Sequence, residues 1–413
     1  MAIQQAVSNV DQNLDQAADT ALTGITITPG AGDYLAVFTG QVDAATLDAK
    51  TFEFSIYVNN AIVQHTERAC DFEGSAAGLD NMMGVATAAW LTVGAGQTVE
   101  VRYRRATGTV AGKMKRRTLT LFPKASADFQ QATDTVDATV SATTDTLLTN
   151  MTLTPGAGTY LLVFSTSADN SATGISLFHS VYVNNAKLNH TEREFWAEAS
   201  ISANLGAFPG LIACMVSPGA GQTVEIRSRR VTNNWTVHER TLTLMKVNAA
   251  DIKEATATAD AAATNTTYAL LNSMTIADPG AGDWLAIFST SQRAGTITVD
   301  EEIDYTFFLG GVQDVNSERH VTQDESIDNA DYYGFTSGRV TIALGTDDAE
   351  VHWKAATTVS RTAKERTFVL VREAAGGGVT VTPGIVALTT TRFTPTVTAS
   401  NHQTVTPGIA TLT

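Results

Sequence analysis

The strongest constraint on the fold is a ten-residue string that occurs three times, at a spacing of about 125 residues. Its copies are PGAGDYLAVF at residues 29–38, PGAGTYLLVF at 155–164 and PGAGDWLAIF at 279–288. A period of this length exceeds that of solenoids and propeller blades, so each copy must be a domain with its own hydrophobic core. No catalytic motif recurs with the string. The repeat therefore indicates architecture more directly than chemistry.

Further matches at the same spacing set the boundaries of the repeat units. Tyr57–Asn60 and His65–Arg68 match Tyr182–Asn185 and His190–Arg193, and the third copy keeps Ser317–Arg319. Each copy closes on a run such as RTLTL, which starts at Arg117 and again at Arg240. We expect unit 1 at residues 1–125, unit 2 at 126–250 and unit 3 at 251–373, followed by a different segment at 374–413.

Local patterns predict β-structure through most of each unit. Runs such as Phe52–Val58 alternate polar with apolar or β-branched residues, the period of a strand with one buried face. Asn59-Asn60 and Asn184-Asn185 suit a two-residue hairpin turn because Asn tolerates positive φ, and Gly310-Gly311 takes their place in unit 3. Pro29-Gly30 predicts a tight reversal in which Pro presets φ and Gly accepts a positive φ.

The first residues of the chain allow two interpretations. Ile3, Val7, Val10 and Leu14 are spaced as on one face of a helix. The matching segment of unit 2, residues 133–146, is rich in Thr and Val, which disfavour a helix. Because equivalent segments should share a conformation, we expect an extended strand there in all units.

About eight short strands in each unit predict an all-β protein of three tandem antiparallel β-sandwich (jelly-roll) domains plus an extended C-terminal arm. Four segments of unit 2 resemble the C1q/TNF-like jelly-roll modules of bacteriophage virion proteins, and the resemblance covers all three units. These segments are Leu148–Tyr160, Val181–Asn185, Glu192-Arg193 and Glu239–Leu244. The resemblance implies trimeric association, usually with one module per chain. Three modules in tandem imply either a pseudo-trimer within the chain or a string of modules, and a homo-oligomer is also possible.

The segment after Glu373 has a different composition. A Gly-rich joint, Ala374–Gly378, precedes two copies of the sequence TVTPGI, at 380–385 and 404–409. Alternating Thr and Val favour extended strands that add to a sheet edge on another molecule, so we expect an anchoring arm with Phe393 as its main apolar contact. The other interaction residues are Val381, Pro383, Ile385, Val405, Pro407 and Ile409. A disordered low-complexity tail is the alternative.

The sequence contains few candidate catalytic or metal-binding residues. His65 and His190 recur beside Glu67 and Glu192, but unit 3 has Asn316 in this place, which argues against a repeated metal site. We interpret the Glu-Arg dipeptide as a structural pair that ties one strand to a neighbour. Its copies are Glu67-Arg68, Glu192-Arg193 and Glu318-Arg319.

Unit 3 also carries an acidic surplus, in which paired carboxylates could serve glycoside hydrolysis or hold calcium. Its members are Asp300, Glu301, Glu302, Asp304, Asp324, Glu325, Asp328 and Asp331. A solvated acidic surface is the default interpretation. We expect no catalytic residue, cofactor or metal.

Charge and composition limit the partners. A formal net charge of −15 disfavours nucleic acid, and no apolar run reaches the length of a membrane helix. Arg102 and Arg104 fall on one face of a strand. This face is either exposed to solvent or a docking patch for an acidic protein. Cys70 and Cys214 are not equivalent in the repeat, so we expect buried reduced thiols. The first repeat starts too near Met1 to leave room for a signal peptide.

These features predict a non-enzymatic virion protein that is made in the host cytoplasm. The favoured role is a phage capsid decoration (cement) or head-fibre protein, attached by its arm to capsid or other virion proteins through strand addition. The alternative is a tail-fibre or receptor-binding protein that contacts host surface glycans. Tandem triplication, the terminal arm and the lack of a coiled-coil shaft in the sequence favour the first role.

Overall fold

The computed structural model describes most of the first 372 residues and builds them almost entirely from β-strands. The described ranges are 2–43, 50–72, 82–108, 112–170, 175–197, 208–294, 301–323, 331–343 and 347–372. Residues 1–374 form one compact unit.

Each repeat contributes its own set of strands. Those of unit 1 are β1 (Gln4–Ser8), β2 (Gln12–Leu14), β3 (Thr20–Ile27), β4 (Gly32–Asp43), β5 (Lys50–Val58), β6 (Ala61–Ile62), β7 (Arg68–Phe72), β8 (Met82–Val93), β9 (Val99–Arg105) and β10 (Gly112–Lys124). Those of unit 2 are β11 (Phe129–Asp134), β12 (Ala138–Val140), β13 (Thr146–Leu153), β14 (Thr159–Asn170), β15 (Ile175–Val183), β16 (Ala186–Lys187), β17 (Arg193–Ala197), β18 (Phe208–Val216), β19 (Val224–Arg230) and β20 (Trp235–Val247). Those of unit 3 are β21 (Ile252–Ala257), β22 (Ala261–Ala263), β23 (Ala269–Ile276), β24 (Gly282–Ala294), β25 (Glu301–Leu309), β26 (Val312–Gln323), β27 (Asp331–Ile342), β28 (Ala349–Ala355) and β29 (Arg361–Arg372).

The strand order is that of a jelly roll. In unit 1 one sheet runs β1-β10-β4-β8, with β2 also on β10, and the other runs β3-β9-β5-β6, with β7 also on β5. Units 2 and 3 repeat this order as β11-β20-β14-β18 with β13-β19-β15-β16, and as β21-β29-β24-β27 with β23-β28-β25-β26. The pairing is antiparallel throughout these sheets. The all-β, jelly-roll expectation is therefore confirmed.

The hairpin turns form as the sequence predicts. The residues between β5 and β6 and their equivalents all have positive φ, which identifies the turn geometry that matches strand twist. The values are 48° and 67° for Asn59 and Asn60, 47° and 66° for Asn184 and Asn185, and 54° and 79° for Gly310 and Gly311. The first strand is also extended, as β1 and β2, so the helix-like spacing of its apolar residues is misleading.

The Pro-Gly turns differ in detail from the expectation. They separate β3 from β4 as predicted, yet Gly30 and Gly156 do not adopt a positive φ, whereas Gly280 does, at 98°. What recurs is a hydrogen bond that the carbonyl oxygen of this glycine accepts from the aromatic side chain four residues later. The donors are Tyr34 Oη at 2.8 Å, Tyr160 Oη at 2.9 Å and Trp284 Nε1 at 3.0 Å. The motif satisfies the polar atom of an aromatic ring that is buried in the sandwich.

The repeated string itself forms a strand with two buried faces. In β4, Tyr34, Ala36 and Phe38 lie in the core of unit 1, while Leu35 and Val37 join a second apolar cluster that is centred on unit 2. In β24, Leu285 and Ile287 of unit 3 join the same cluster. The continuous apolar run in each string therefore marks a strand that packs against its own sandwich on one side and a sister unit on the other.

Candidate functional site

The recurring arginine of each Glu-Arg dipeptide lies where one unit meets the next. Arg68 is fully buried at the start of β7 and reaches into unit 2. Its Nη2 donates to the backbone oxygen and hydroxyl of Ser165, both at 2.8 Å, and to Thr241 Oγ1 at 3.2 Å. Its Nη1 donates to the carbonyl oxygens of His65 and Glu67, at 3.0 Å and 2.6 Å. We call this contact surface seam 1–2.

The next arginine repeats these contacts one unit further on. At seam 2–3, Arg193 Nη2 donates to Ser289 O at 2.8 Å, Ser289 Oγ at 3.0 Å and Thr367 Oγ1 at 3.1 Å. Ser289 and Thr367 occupy the places in unit 3 that Ser165 and Thr241 occupy in unit 2.

The third arginine points back to the first unit. At seam 3–1, Arg319 Nη2 donates to Thr39 O at 3.3 Å, Thr39 Oγ1 at 3.2 Å and Thr118 Oγ1 at 2.7 Å. The three seams thus run from unit 1 to 2, from 2 to 3 and from 3 to 1. This closes a cycle although the chain covalently links only the first two pairs.

Burial explains why arginine suits this position. Removing a cation from water is costly unless hydrogen bonds satisfy it, and a planar guanidinium can serve two sets of oxygens at once. Burial lowers the pKa of Arg68 to about 9 and that of Arg193 to about 10, so both stay charged at neutral pH.

The glutamate of each dipeptide binds a different partner from its arginine. Adjacent residues of an extended chain point in opposite directions. Glu67 accordingly forms an ion pair at 3.3 Å with Arg104 of its own unit, and Glu192 pairs at 3.1 Å with Arg229. The two members of the dipeptide have separate structural partners, and only the arginine crosses the seam in units 1 and 2.

A second set of contacts recurs at all three seams. A side-chain oxygen in the first strand of one unit accepts a hydrogen bond from a backbone N–H on the sheet edge of the preceding unit. Gln131 Oε1 accepts from Trp90 N at 2.6 Å, Glu254 Oε1 accepts from Met215 N at 2.7 Å, and Gln5 Oε1 accepts from Arg339 N. These bonds occupy donors on edge strands, which otherwise invite unwanted strand pairing.

Aromatic contacts also cross the seams. At seam 1–2, Trp90 stacks on Phe129 with ring centroids 5.5 Å apart. At seam 2–3, Phe195 packs on Tyr333 at 4.1 Å. At seam 3–1, a Cβ added to Gly84 of unit 1 would lie 2.8 Å from the ring of Phe335, so glycine permits the close approach.

The seams differ in charge. At seam 1–2, burial and the carboxylates of Glu53 and Glu239 raise the pKa of Glu67 to about 7, and Glu239 belongs to the opposite unit. At seam 2–3, burial and Glu192 raise the pKa of Glu365.

At seam 3–1, Arg116 stands where units 2 and 3 have Glu239 and Glu365, and it forms an ion pair with Glu318. Seam 3–1 therefore joins opposite charges across the position where the other seams place like charges.

The histidines of the repeated segment serve the seams. His65 Nδ1 lies 3.0 Å from Thr241 Oγ1, which donates to His65 O at 2.8 Å. Burial lowers the pKa of His65 and of His190 to about 4, so both are neutral at physiological pH. Neither belongs to a group of converging metal ligands within the described residues.

The other residues predicted from the sequence to be of interest are the strand arginines, the two cysteines and the arm residues. Arg102 and Arg104 form ion pairs with Glu100 and Glu53 within unit 1. Cys70 and Cys214 are free and buried, as expected. The residues of the predicted anchoring arm lie outside the described part of the chain. They are Val381, Pro383, Ile385, Phe393, Val405, Pro407 and Ile409.

One group of side chains could hold a metal ion. Glu302, Asp304 and His320 offer one ligand atom each, and these atoms lie within 4.8 Å of one another. Glu302 and Asp304 belong to the acidic surplus of unit 3, whereas nothing in the sequence analysis indicated that His320 lies beside them. The β25–β26 hairpin brings them together, because a register shift between Tyr305 and Phe307 places His320 opposite Asp304.

In the described part of the chain, no helix is long and apolar enough to cross a membrane.

No protein-family model and no curated protein sequence matches this chain. Solved structures that it resembles include Sulfolobus Turreted Icosahedral Virus, at 10% identity over 90% of this chain and 92% of that chain, with a TM-score of 0.19. A second is the triple jelly-roll fold and turret assembly of an archaeal virus, at 8% identity over 89% and 91%, with a TM-score of 0.20. A third is PNGF-II, at 7% identity over 82% and 98%, with a TM-score of 0.27. At these values the alignments supply no evidence on the role of this chain.

Proposed function

We propose that this chain is a non-enzymatic structural protein of a bacteriophage particle, a capsid decoration or head-fibre protein. In this proposal residues 1–125, 126–250 and 251–373 are C1q/TNF-like units that form a pseudo-trimer within one chain. Residues 374–413 attach it to capsid or other virion proteins by strand addition.

The observation that carries the proposal is the closed cycle of seams. Arg68, Arg193 and Arg319 are buried to at least 99% and are used to join units rather than to line a reactive cavity. A rod of modules needs contacts between successive units only, whereas here unit 3 also binds unit 1. The cycle favours a pseudo-trimer over a string of modules, and with it the decoration role over a tail fibre.

Binding to particles tests the role. The full chain and a variant that ends at Arg372 are mixed separately with capsids, and with tails, of the phage that encodes the protein, after removal of the native copy. We expect the full chain to sediment with capsids and the shortened chain to stay in solution. Equal binding of both chains would refute the anchoring arm, and binding to tails alone would favour the receptor-binding alternative.

Solution scattering tests the arrangement independently of the partner. We expect a profile of one compact particle for residues 1–374, unchanged on dilution. A rod-like profile would contradict the pseudo-trimer even if the chain binds capsids.

A further inference from the structure

We propose that Glu302, Asp304 and His320 of unit 3 form a binding site for one divalent transition-metal ion such as Zn²⁺. The site lies on the outer face of the β25–β26 sheet and adjoins seam 3–1. It is a separate feature from the proposed virion role and does not depend on it.

Strand register brings the three ligands together. Glu302 and Asp304 are two residues apart on β25, so their side chains share one face. His320 on β26 is the direct cross-strand partner of Asp304. Two carboxylates and one imidazole on a rigid sheet are a donor set that suits zinc and related metals better than calcium, which prefers oxygen ligands alone.

The polar atoms at the centre of the group converge on one point. Asp304 is 5% exposed, and its Oδ1 lies in ion-pair contact with His320 Nδ1. Glu302 Oε1 also contacts His320 Nδ1. A proton on Nδ1 serves both carboxylates in the metal-free chain, and a divalent cation at the same point would bind all three ligand atoms.

Surrounding residues hold the ligands in the orientation that a metal needs. Lys354 Nζ binds the other oxygen of Asp304, Oδ2, at 2.9 Å, which leaves Oδ1 free to face the site. Glu318 Oε1 lies 3.2 Å from His320 Nε2, on the far side of the ring. A metal-binding histidine commonly donates its second N–H to a carboxylate in this way. Arg116 of unit 1 contacts both Glu318 and His320 Nε2, so the site is linked to seam 3–1.

Metal binding would exchange a proton for the ion. Burial alone would lower the pKa of His320, but hydrogen bonding to Asp304 and Glu302 raises it to about 10 in the metal-free chain. On binding, the Nδ1 proton leaves to solvent and the Nδ1 lone pair binds the ion.

The other units do not carry the triplet. The places of Glu302, Asp304 and His320 are taken by Thr51, Glu53 and Ala69 in unit 1, and by Ser176, Phe178 and Glu194 in unit 2. His238 of unit 2 provides a matched control because it also lies between two carboxylates. Its Nδ1 is 2.9 Å from Asp137 and its Nε2 is 3.2 Å from Asp169, so these acids occupy opposite sides of the ring and cannot share one ion with it.

The test uses the full chain after treatment with EDTA, with Zn²⁺ binding measured by titration calorimetry at pH 8 and Co²⁺ binding by visible absorption. We expect one ion per chain, binding at least tenfold weaker in His320→Ala and Glu302→Gln, and unchanged binding in His238→Ala. Glu318→Gln should weaken binding about tenfold as a loss of orientation.

Three results would overturn the proposal. They are no stoichiometric Zn²⁺ binding by the native chain, binding by His320→Ala equal to the native value, and equal losses in His320→Ala and His238→Ala. The first result would leave an ion-paired imidazolium as the role of this group. Because Glu302 is the most exposed of the three ligands, Glu302→Gln is expected to fold even if His320→Ala does not.

Discussion

Seams 1–2 and 3–1 use the same buried arginine but differ in what surrounds it. At seam 1–2 the linker near Ala125 keeps the units adjacent, and the opposing side chains Glu67 and Glu239 repel each other. At seam 3–1 no linker joins the units, and Arg116 attracts Glu318. At this position, favourable charge is therefore found at the seam that has no covalent connection, although Lys364 and Glu194 form a separate ion pair at 3.0 Å across seam 2–3. The difference indicates that the arginine provides a common joint, while the residue at the Arg116 position adjusts its strength.

Additional contacts strengthen the unlinked seam in the same way. Thr39 Oγ1 lies 3.1 Å from Ser337 Oγ, and Gln41 Nε2 donates to the backbone oxygen of His320 at 3.3 Å. Asn9 also donates to Asn316 at 3.2 Å. The closure of the cycle thus rests on a broader polar contact than one arginine.

The largest expected effect is the loss of a seam arginine. Arg68→Ala and Arg319→Ala should each destabilise the chain by about 3–5 kcal/mol, because the partner oxygens are left buried without a donor. Chemical denaturation measures the loss.

Only Arg319→Ala should also change the oligomeric state. Unit 3 can then leave unit 1 and bind unit 1 of another chain, which light scattering after size exclusion would detect as concentration-dependent dimers. Arg68→Ala is the control, since its units stay linked. Dimers of both variants, or of neither, would contradict the proposed difference between the seams.

The next effect is a reversal of charge at the position that distinguishes the seams. Arg116→Glu should cost about 1–3 kcal/mol, because it places like charges across seam 3–1 in a partly buried site. Glu239→Arg should instead stabilise the chain by about 0.5–1 kcal/mol by pairing with Glu67. Thermal unfolding in low and high salt checks both, and the effects should shrink in high salt. A change of stability in the same direction for both variants would contradict this difference in charge between the seams.

A pH titration distinguishes Glu254 from its counterparts Gln5 and Gln131. Burial raises the pKa of Glu254 to about 7, above its ordinary value of 4.5. Its contribution to stability is therefore fully present below pH 4.5 and is lost as pH rises through 7. We expect Glu254→Gln to remove this part of the pH dependence and to stabilise the chain by about 1–2 kcal/mol at pH 8. Melting temperatures from pH 4.5 to 8 measure it, and parallel curves for both proteins would contradict the prediction.

The smallest effect concerns the bonds between side chains and edge strands. Gln5→Ala and Gln131→Ala each remove one hydrogen bond to a backbone N–H and should cost about 0.5–1.5 kcal/mol. Hydrogen exchange at Arg339 N and Trp90 N reports the local opening, which should increase more at Arg339 because seam 3–1 has no linker. A larger increase in hydrogen exchange at Trp90 N than at Arg339 N would contradict this prediction.

The sequence predicted the features that depend on neighbouring residues. Asn59 and Asn60 adopt the turn that their tolerance of positive φ allows, and β1 is extended as its counterpart in unit 2 implies. Eight short strands per unit predicted the sandwich, because strand periodicity is a local signal.

The seams could not be predicted in the same way. Arg68 and Ser165 are 97 residues apart, and nothing in either segment indicates its partner. A signal was nevertheless present, since Leu35 and Val37 interrupt the expected alternation in β4 and indicate a second buried face. His320 likewise meets Glu302 and Asp304 because of a register shift in the β25–β26 hairpin, which the sequence does not reveal.

The two buried faces of β4 have a consequence for assembly. If each unit were a separate polypeptide, Leu35, Val37 and their counterparts would face water until two partners arrived, and dilution would favour the separated state. Linking the units in one chain makes the meeting of these faces intramolecular, with an effective concentration set by short connections. The three units should therefore assemble equally well in dilute and in concentrated solution.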